Sequence, residues 1–200
     1  YTTWLSGADI SPTYGYHRRF LQLLQSRHPG ERWVLKAPSH LSCLPELFQT
    51  YPDARVVMAH RDPLKVISSL THLMATLQSM RSNKVNYEGI VAAMAFGLGY
   101  LLENANSQRD SGEIPNSQIS DVCYTDLIAN PLETVRTLYQ GWGLPLEKNT
   151  ERRMQEYLNS RHRGRAVLHD YAFEDTGLDL KTERARHADY RERFGVLPEV

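Results

Sequence analysis

Residues 54–70, ARVVMAHRDPLKVISSL, contain the pattern on which the fold depends. The apolar, partly β-branched run from Ala54 to Ala59 follows a Pro52-Asp53 turn and predicts a strand that ends at His60-Arg61. A short continuous apolar run of this kind is typical of a strand buried on both faces.

A helix is predicted directly after this strand. Asp62 suits the N-cap position and Pro63 suits the first helical position, where a missing N–H costs nothing. Apolar residues then recur along one face, and polar residues share a different face. The apolar face holds Val66, Leu70, Leu73 and Leu77, and the polar face holds Lys65, Ser69, His72 and Thr76.

Two further strands are predicted, from Trp33 to Leu35, ending at Lys36, and from Ile119 to Tyr124. Strands that alternate with helices imply a parallel sheet flanked by helices, which is the α/β class.

Periodicity and proline positions predict the other helices. Residues 14–27 place Tyr16, Phe20, Leu23 and Leu24 on one stripe, and Pro45 fits a helix between Ser39 and Tyr51 only in a first turn. Three further helices are predicted at 87–104, near 148–160 and near 182–194, and a polar loop is predicted at 105–117. Another helix is predicted to start at Asn130-Pro131, and its inward-facing residues are Leu132, Val135, Leu138, Tyr139 and Trp142.

Composition indicates one globular domain covering residues 1–200. The 41% hydrophobic content is enough for a core, and 23 basic residues balance 23 acidic ones. The net charge therefore creates no overall electrostatic attraction for nucleic acid or an anionic membrane. A binding site for an anion would have to be formed by a local group of basic residues. No apolar run approaches the roughly 20 residues that span a bilayer. The chain starts at Tyr1 rather than Met, so the sequence is compatible with a targeting segment upstream of Tyr1.

Cys43 and Cys123 are far apart and lie among apolar residues, which favours free thiols in a reducing, cytoplasmic setting. The eight His residues show no metal-ligand spacing, so no metal is expected.

Arg61 and Ser69 form a candidate phosphate site. Ligands of open parallel sheets bind at the carboxyl ends of strands, beside helix N-termini that favour anions. Arg61 lies at such an end, and Ser69 adds a hydroxyl two turns along the helix. The alternative is that Arg61 pairs with a carboxylate and Ser69 is an ordinary helical serine.

Four segments in order resemble the bacterial-type sulfotransferase family. They are WVLKAPSHL (33–41), ARVVMAHRDPLKVISSL (54–70), VCYTDLIANP (122–131), and a tail with HDYAFEDTGLD (169–179) and YRERFGV (190–196). The resemblance implies a P-loop NTPase-like three-layer fold and the donor 3′-phosphoadenosine 5′-phosphosulfate.

The resemblance also implies roles for donor-binding residues. In the family an Arg after a strand and a Ser eight positions later bind the donor's 3′-phosphate, and these positions are Arg61 and Ser69. Ser68 is the alternative, about 100° away around the helix. Tyr124 matches a Tyr beside the adenine, with a core Tyr as the alternative. Arg163 and Arg165 resemble a late basic segment that closes over the 3′-phosphate, although a solvated charge run has the same composition.

Lys36 and His40 lie in the segment that carries catalytic residues in the wider superfamily. Lys36 is expected to neutralise the oxygen between sulfur and the leaving phosphate, and His40 to take the acceptor's proton. Cytosolic sulfotransferases of that superfamily place their base His two residues after the Lys, whereas His40 lies four residues after Lys36, and other branches use a carboxylate from the amino-terminal third. A His40 that only packs locally is therefore the alternative.

The family's Gly-rich phosphosulfate-binding loop has no counterpart here, so we expect a carboxy-terminal portion of the full domain. The expected function is transfer of a sulfuryl group to a hydroxyl acceptor, which is a small molecule, carbohydrate or lipid. The alternatives are a non-catalytic nucleotide-binding fragment and a nucleotide kinase, which would need a Walker Lys absent from this sequence.

Overall fold

The computed structural model describes residues 8–163 and 171–200, without the side chains of 161–163. These residues contain the strands β1 (Val56–His60) and β2 (Ile119–Cys123) and the 3₁₀ turns Pro38–Ser42, Asn116–Gln118 and Glu174–Thr176. Their α-helices are α1 (Ser11–Arg27), α2 (Leu44–Thr50), α3 (Pro63–Ser79), α4 (Tyr87–Asp110), α5 (Tyr124–Ala129), α6 (Pro131–Gly141), α7 (Lys148–Arg163), α8 (Leu180–Arg186) and α9 (Ala188–Phe194).

The chain divides into two compact units. Unit 1 comprises Tyr1–Val56 and Tyr100–Ile119, and unit 2 comprises Val57–Gly99 and Ser120–Val200.

The sheet confirms the predicted α/β class. β1 and β2 are hydrogen-bonded neighbours in a parallel arrangement, and the connection between them includes α3 and α4. Met58 and His60 of β1 are buried, as are Ile119 and Val122 of β2. Two of the predicted strands therefore exist at nearly the predicted positions.

The strand predicted at Trp33–Leu35 is wrong. Residues 32–37 have no regular secondary structure, and the side chain of Val34 is 96% exposed. Strand geometry depends on hydrogen bonds to a neighbour, and no segment in the described ranges 8–163 and 171–200 supplies them. Local apolar content is thus insufficient to form a strand here.

The start of α3 is confirmed, but its buried face differs from the predicted one. The Asp62 carboxylate accepts a hydrogen bond of 3.2 Å from the backbone N–H of Leu64, with Pro63 at the first helical position. Besides Pro63, the buried side chains are those of Leu64, Ile67, Ser68 and Thr71, whereas Leu73 and Leu77 are exposed. Leu64 is completely buried at the helix entry, and residues three, four and seven positions later follow it on that face.

Helix α1 begins earlier than predicted, and its buried side chains are Tyr14 and Leu21. The predicted stripe is wrong, since Tyr16, Phe20, Leu23 and Leu24 are all exposed. The two buried positions lie seven residues apart, or about two helical turns, and share a narrow face.

Other boundaries moved by a few residues. Pro45 lies in the first turn of α2 as required, and α4 extends into the predicted loop 105–117 as far as Asp110. Tyr124 starts α5 rather than ending a strand, and the last predicted helix is broken at His187 into α8 and α9. The inward-facing residues predicted for α6 are only half-buried.

Candidate functional site

Arg61 immediately follows β1 and pairs with Glu199. Its Nε lies 3.0 Å from both carboxylate oxygens of Glu199, and its Nη2 lies 2.7 Å from Oε2. The guanidinium also lies over the ring of Tyr124, 4.1 Å from the centroid. The hydrogen bonds to Glu199 raise the pKa of Arg61 above its ordinary value, so the side chain carries a full charge. The carboxylate pairing considered as an alternative is therefore present in the structure.

The backbone around Glu199 is anchored separately from its side chain. Its N–H donates a 2.7 Å hydrogen bond to Oδ2 of Asp62, whose other oxygen caps α3. Val196 is buried, and its N–H donates to the carbonyl of Arg191. The carboxy-terminal tail, residues 196–200, is thereby attached to the turn that carries Arg61.

Ser69 and Ser68 occupy different environments. Ser69 is exposed, whereas Ser68 is completely buried and donates its hydroxyl to the carbonyl of Leu64 at 3.2 Å. Only Ser69 can therefore meet a ligand from solvent.

The polar face of α3 also receives the segment that follows residue 170. Lys65 donates to the carbonyl of Tyr171 at 3.2 Å, and the ring of His72 stacks on that of Tyr171 with centroids 4.2 Å apart. The His72 Nδ1 lies 2.9 Å from the carbonyl of Ser68, which holds the imidazole against the helix. The chain after the predicted basic segment therefore returns to the face on which Ser69 lies.

A polar network around the buried side chain of His60 supports the end of β1. His60 is 2% exposed, with Nδ1 2.8 Å from the hydroxyl of Tyr190 and Nε2 2.8 Å from Oδ1 of Asp121. Its ring stacks on Phe194 at 4.0 Å. These contacts join both strands to α9 at the residue that precedes Arg61. Sequence reasoning did not find them because the hydrogen-bond partners of His60 are 61 and 130 residues away.

His40 belongs to an aromatic cluster in unit 1 made of Tyr14, His17, His40 and Tyr51. The Tyr14 hydroxyl lies 2.8 Å from Nδ1 of His40, and the Tyr51 hydroxyl lies 2.7 Å from Nδ1 of His17. The two imidazole centroids are 6.1 Å apart. Partial burial, and secondarily the nearby His17, lower the pKa of His40, so its neutral form is favoured. A neutral imidazole can accept a proton.

The predicted site residues fall into two groups. Lys36 and His40 belong to unit 1, where Lys36 is exposed ahead of the 3₁₀ turn that contains His40. Arg61, Ser69 and Tyr124 belong to unit 2, where Arg61 and Tyr124 are in contact. Arg163 is the last residue of α7; its side chain and the whole of Arg165 lie outside the described residues.

Neither a metal cluster nor a membrane span emerges from the described parts of the chain. No group of three His, Cys, Asp or Glu side chains there is arranged to hold an ion. No described helix is both long and apolar enough to cross a bilayer. Cys43 and Cys123 are free thiols, as predicted.

The family model for the sulfotransferase family matches residues 9–148. The structure of sulfotransferase STF9 from Mycobacterium avium is 31% identical with a TM-score of 0.88, over 99% of this chain and 50% of that one. Sulfotransferase STF1 from Mycobacterium tuberculosis H37Rv is 34% identical with a TM-score of 0.74, over 94% of this chain and 47% of that one. Among curated proteins, none matches significantly.

These similarities extend across both units. The chain spans about half the length of the two solved sulfotransferases, whose P-loop-like α/β fold it shares over that half. The family match covers the segments that contain Lys36, His40, Arg61, Ser69 and Tyr124. This chain therefore belongs to the sulfotransferase family.

Proposed function

We propose that this chain forms part of an enzyme that transfers a sulfuryl group from 3′-phosphoadenosine 5′-phosphosulfate to a hydroxyl acceptor. The observation that supports it best is the position of Arg61, which holds a carboxylate at the carboxyl end of β1, next to the start of α3. An arginine that binds one two-oxygen anion there has the geometry to bind a phosphate. The proposal has two further parts: residues 1–200 belong to a single sulfotransferase domain, and the protein resides in the reducing environment of the cytoplasm.

The donor's 3′-phosphate would bind Arg61 and the exposed hydroxyl of Ser69. Tyr124 is half-buried, so part of its ring remains available to the adenine. Arg163 and Arg165 would add charge from the basic segment, since the chain after that segment is attached to α3 through Lys65 and His72.

The transfer step requires positioning and charge stabilisation more than covalent participation of the protein. The acceptor oxygen forms a bond to sulfur while the bond from sulfur to the bridging oxygen breaks, giving a sulfate ester and adenosine 3′,5′-bisphosphate. Lys36 would neutralise the departing oxygen. His40 would take the acceptor's proton, a role that its lowered pKa favours near neutral pH.

The test is calorimetric titration of adenosine 3′,5′-bisphosphate into this chain. We expect micromolar binding that Arg61→Ala weakens by about 2–4 kcal/mol, by analogy with truncation of a charge-assisted pair. Arg152→Ala is the matched control, because Arg152 forms an exposed ion pair with Glu156 on α7. Adenosine 5′-monophosphate should bind more weakly. Absence of binding by a folded chain, or equal binding by Arg61→Ala, would contradict the proposed donor site.

A further inference from the structure

The Glu199 carboxylate occupies one hydrogen-bonding edge of the Arg61 guanidinium. This edge consists of Nε and Nη2, and both atoms donate to Glu199. The Tyr124 ring lies against one guanidinium face. A carboxylate and a phosphate both present two oxygens to such an edge, so the two anions suit the same position.

Simultaneous binding of both anions is unfavourable. An anion on the other edge of the guanidinium would share Nη2 with Glu199, which would bring two negative groups within a few ångströms of each other. Repulsion at that distance is considerable in a partly buried site, because the local dielectric constant is well below that of water. The side chains of Arg61 and Glu199 are 30% and 20% exposed, respectively.

Glu199 can leave Arg61 by rotation of its side chain alone. Its backbone N–H is bound to Asp62, and the tail is further attached by buried Val196 and by a hydrogen bond from the Arg184 guanidinium to the Val200 carbonyl. None of these three contacts involves the Glu199 carboxylate. Removing the carboxylate from Arg61 therefore leaves the attachment of the tail intact.

We propose that Glu199 is an internal competitor at the donor site, and that the donor's 3′-phosphate displaces its carboxylate from Arg61. Glu199 thereby sets the affinity for nucleotides that carry a 3′-phosphate. The inference rests on the proposed function, because it takes Arg61 to be the 3′-phosphate ligand.

The test compares Glu199→Gln with the unchanged chain in calorimetric titrations of adenosine 3′,5′-bisphosphate. Glutamine keeps the size of the side chain and removes its charge, so we expect the dissociation constant to fall roughly tenfold, equivalent to about 1.4 kcal/mol. Glu156→Gln removes one negative charge from an exposed ion pair on α7 and should change nothing. Affinity for adenosine 5′-monophosphate should also stay unchanged.

A double variant separates this inference from the proposed function. Glu199→Gln should have no effect in an Arg61→Ala background, since the competition acts through that guanidinium. Unchanged or weaker binding by Glu199→Gln, while Arg61→Ala still loses affinity, would overturn the competition and leave the donor site standing. If Arg61→Ala binds normally, both are wrong. Thermal unfolding of each variant, with Glu199→Ala as a second substitution, checks that the tail remains folded.

Discussion

The hydroxyl of Tyr14 lies 2.8 Å from Nδ1 of His40, and this contact joins α1 to the 3₁₀ turn Pro38–Ser42. Tyr14 is buried, and its burial raises the pKa of its phenol, so the hydroxyl stays protonated throughout the neutral range. Because Nδ1 is engaged, proton exchange with an acceptor would have to use Nε2 of His40.

His40 should titrate below the ordinary histidine pKa of about 6.5. Burial disfavours the imidazolium, and the neighbouring His17 disfavours it further. Proton NMR of the imidazole should therefore show a lowered pKa, and His17→Gln should raise it only part of the way, because burial remains.

The lowered pKa of His40 also makes the stability of the folded chain depend on pH. As pH falls below about 6.5, the unfolded chain binds this proton before the folded chain does, so stability decreases until the lowered folded-state pKa has been passed. His40→Gln should remove that part of the pH dependence of urea denaturation, whereas replacement of exposed His28 by Gln should not. A His40 that titrates at or above its ordinary value would contradict the burial argument.

Substitutions at Ser69 and Ser68 should have different effects, the first on nucleotide binding and the second on folding stability. Ser69→Ala removes an exposed hydroxyl and should weaken binding of adenosine 3′,5′-bisphosphate by about 1 kcal/mol, with little change in melting temperature. Ser68→Ala removes a buried hydroxyl bound to Leu64 and should act mainly on stability. Calorimetric titration and thermal denaturation of both variants make the comparison, and a loss of affinity confined to Ser68→Ala would reverse the assignment.

Asp62→Ala should destabilise unit 2 more than Asp179→Ala. Both residues are helix N-caps, and removal of such a cap typically costs about 1 kcal/mol. Asp62 is 2% exposed and also accepts the N–H of Glu199, so its loss leaves two donors without their acceptor. Asp179 also accepts two hydrogen bonds, from the N–H and the hydroxyl of Thr182, but these donors are exposed, so water can replace the lost acceptor. Urea denaturation measures both variants; equal losses would contradict a larger contribution from the buried contacts of Asp62.

Lys36→Ala should lower turnover in a sulfuryl-transfer assay more than it changes donor affinity. Charge on the bridging oxygen develops as the bond to sulfur breaks, so a contact with Lys36 strengthens in the transition state. Lys84→Ala, at another exposed lysine, is the control. A change in donor binding alone would make Lys36 a simple phosphate ligand.

Several structural features that depend on neighbouring residues were predicted correctly from the local sequence. The Asp62-Pro63 start of α3, the strands β1 and β2, and the position of Pro45 in the first turn of α2 could all be predicted from a few neighbouring residues. Caps, proline geometry and apolar runs act within one or two turns of chain, which explains this success.

The sequence by itself determined the α/β class, the Asp62-Pro63 start of α3 and the family, because backbone preferences and motifs are carried by consecutive residues. Only the tertiary structure decided that α3 buries Leu64 and Ile67, that residues 32–37 form no strand, and that Glu199 meets Arg61 across 138 positions. Contacts between distant segments depend on which surfaces the packed elements bring together, and no local pattern encodes that choice.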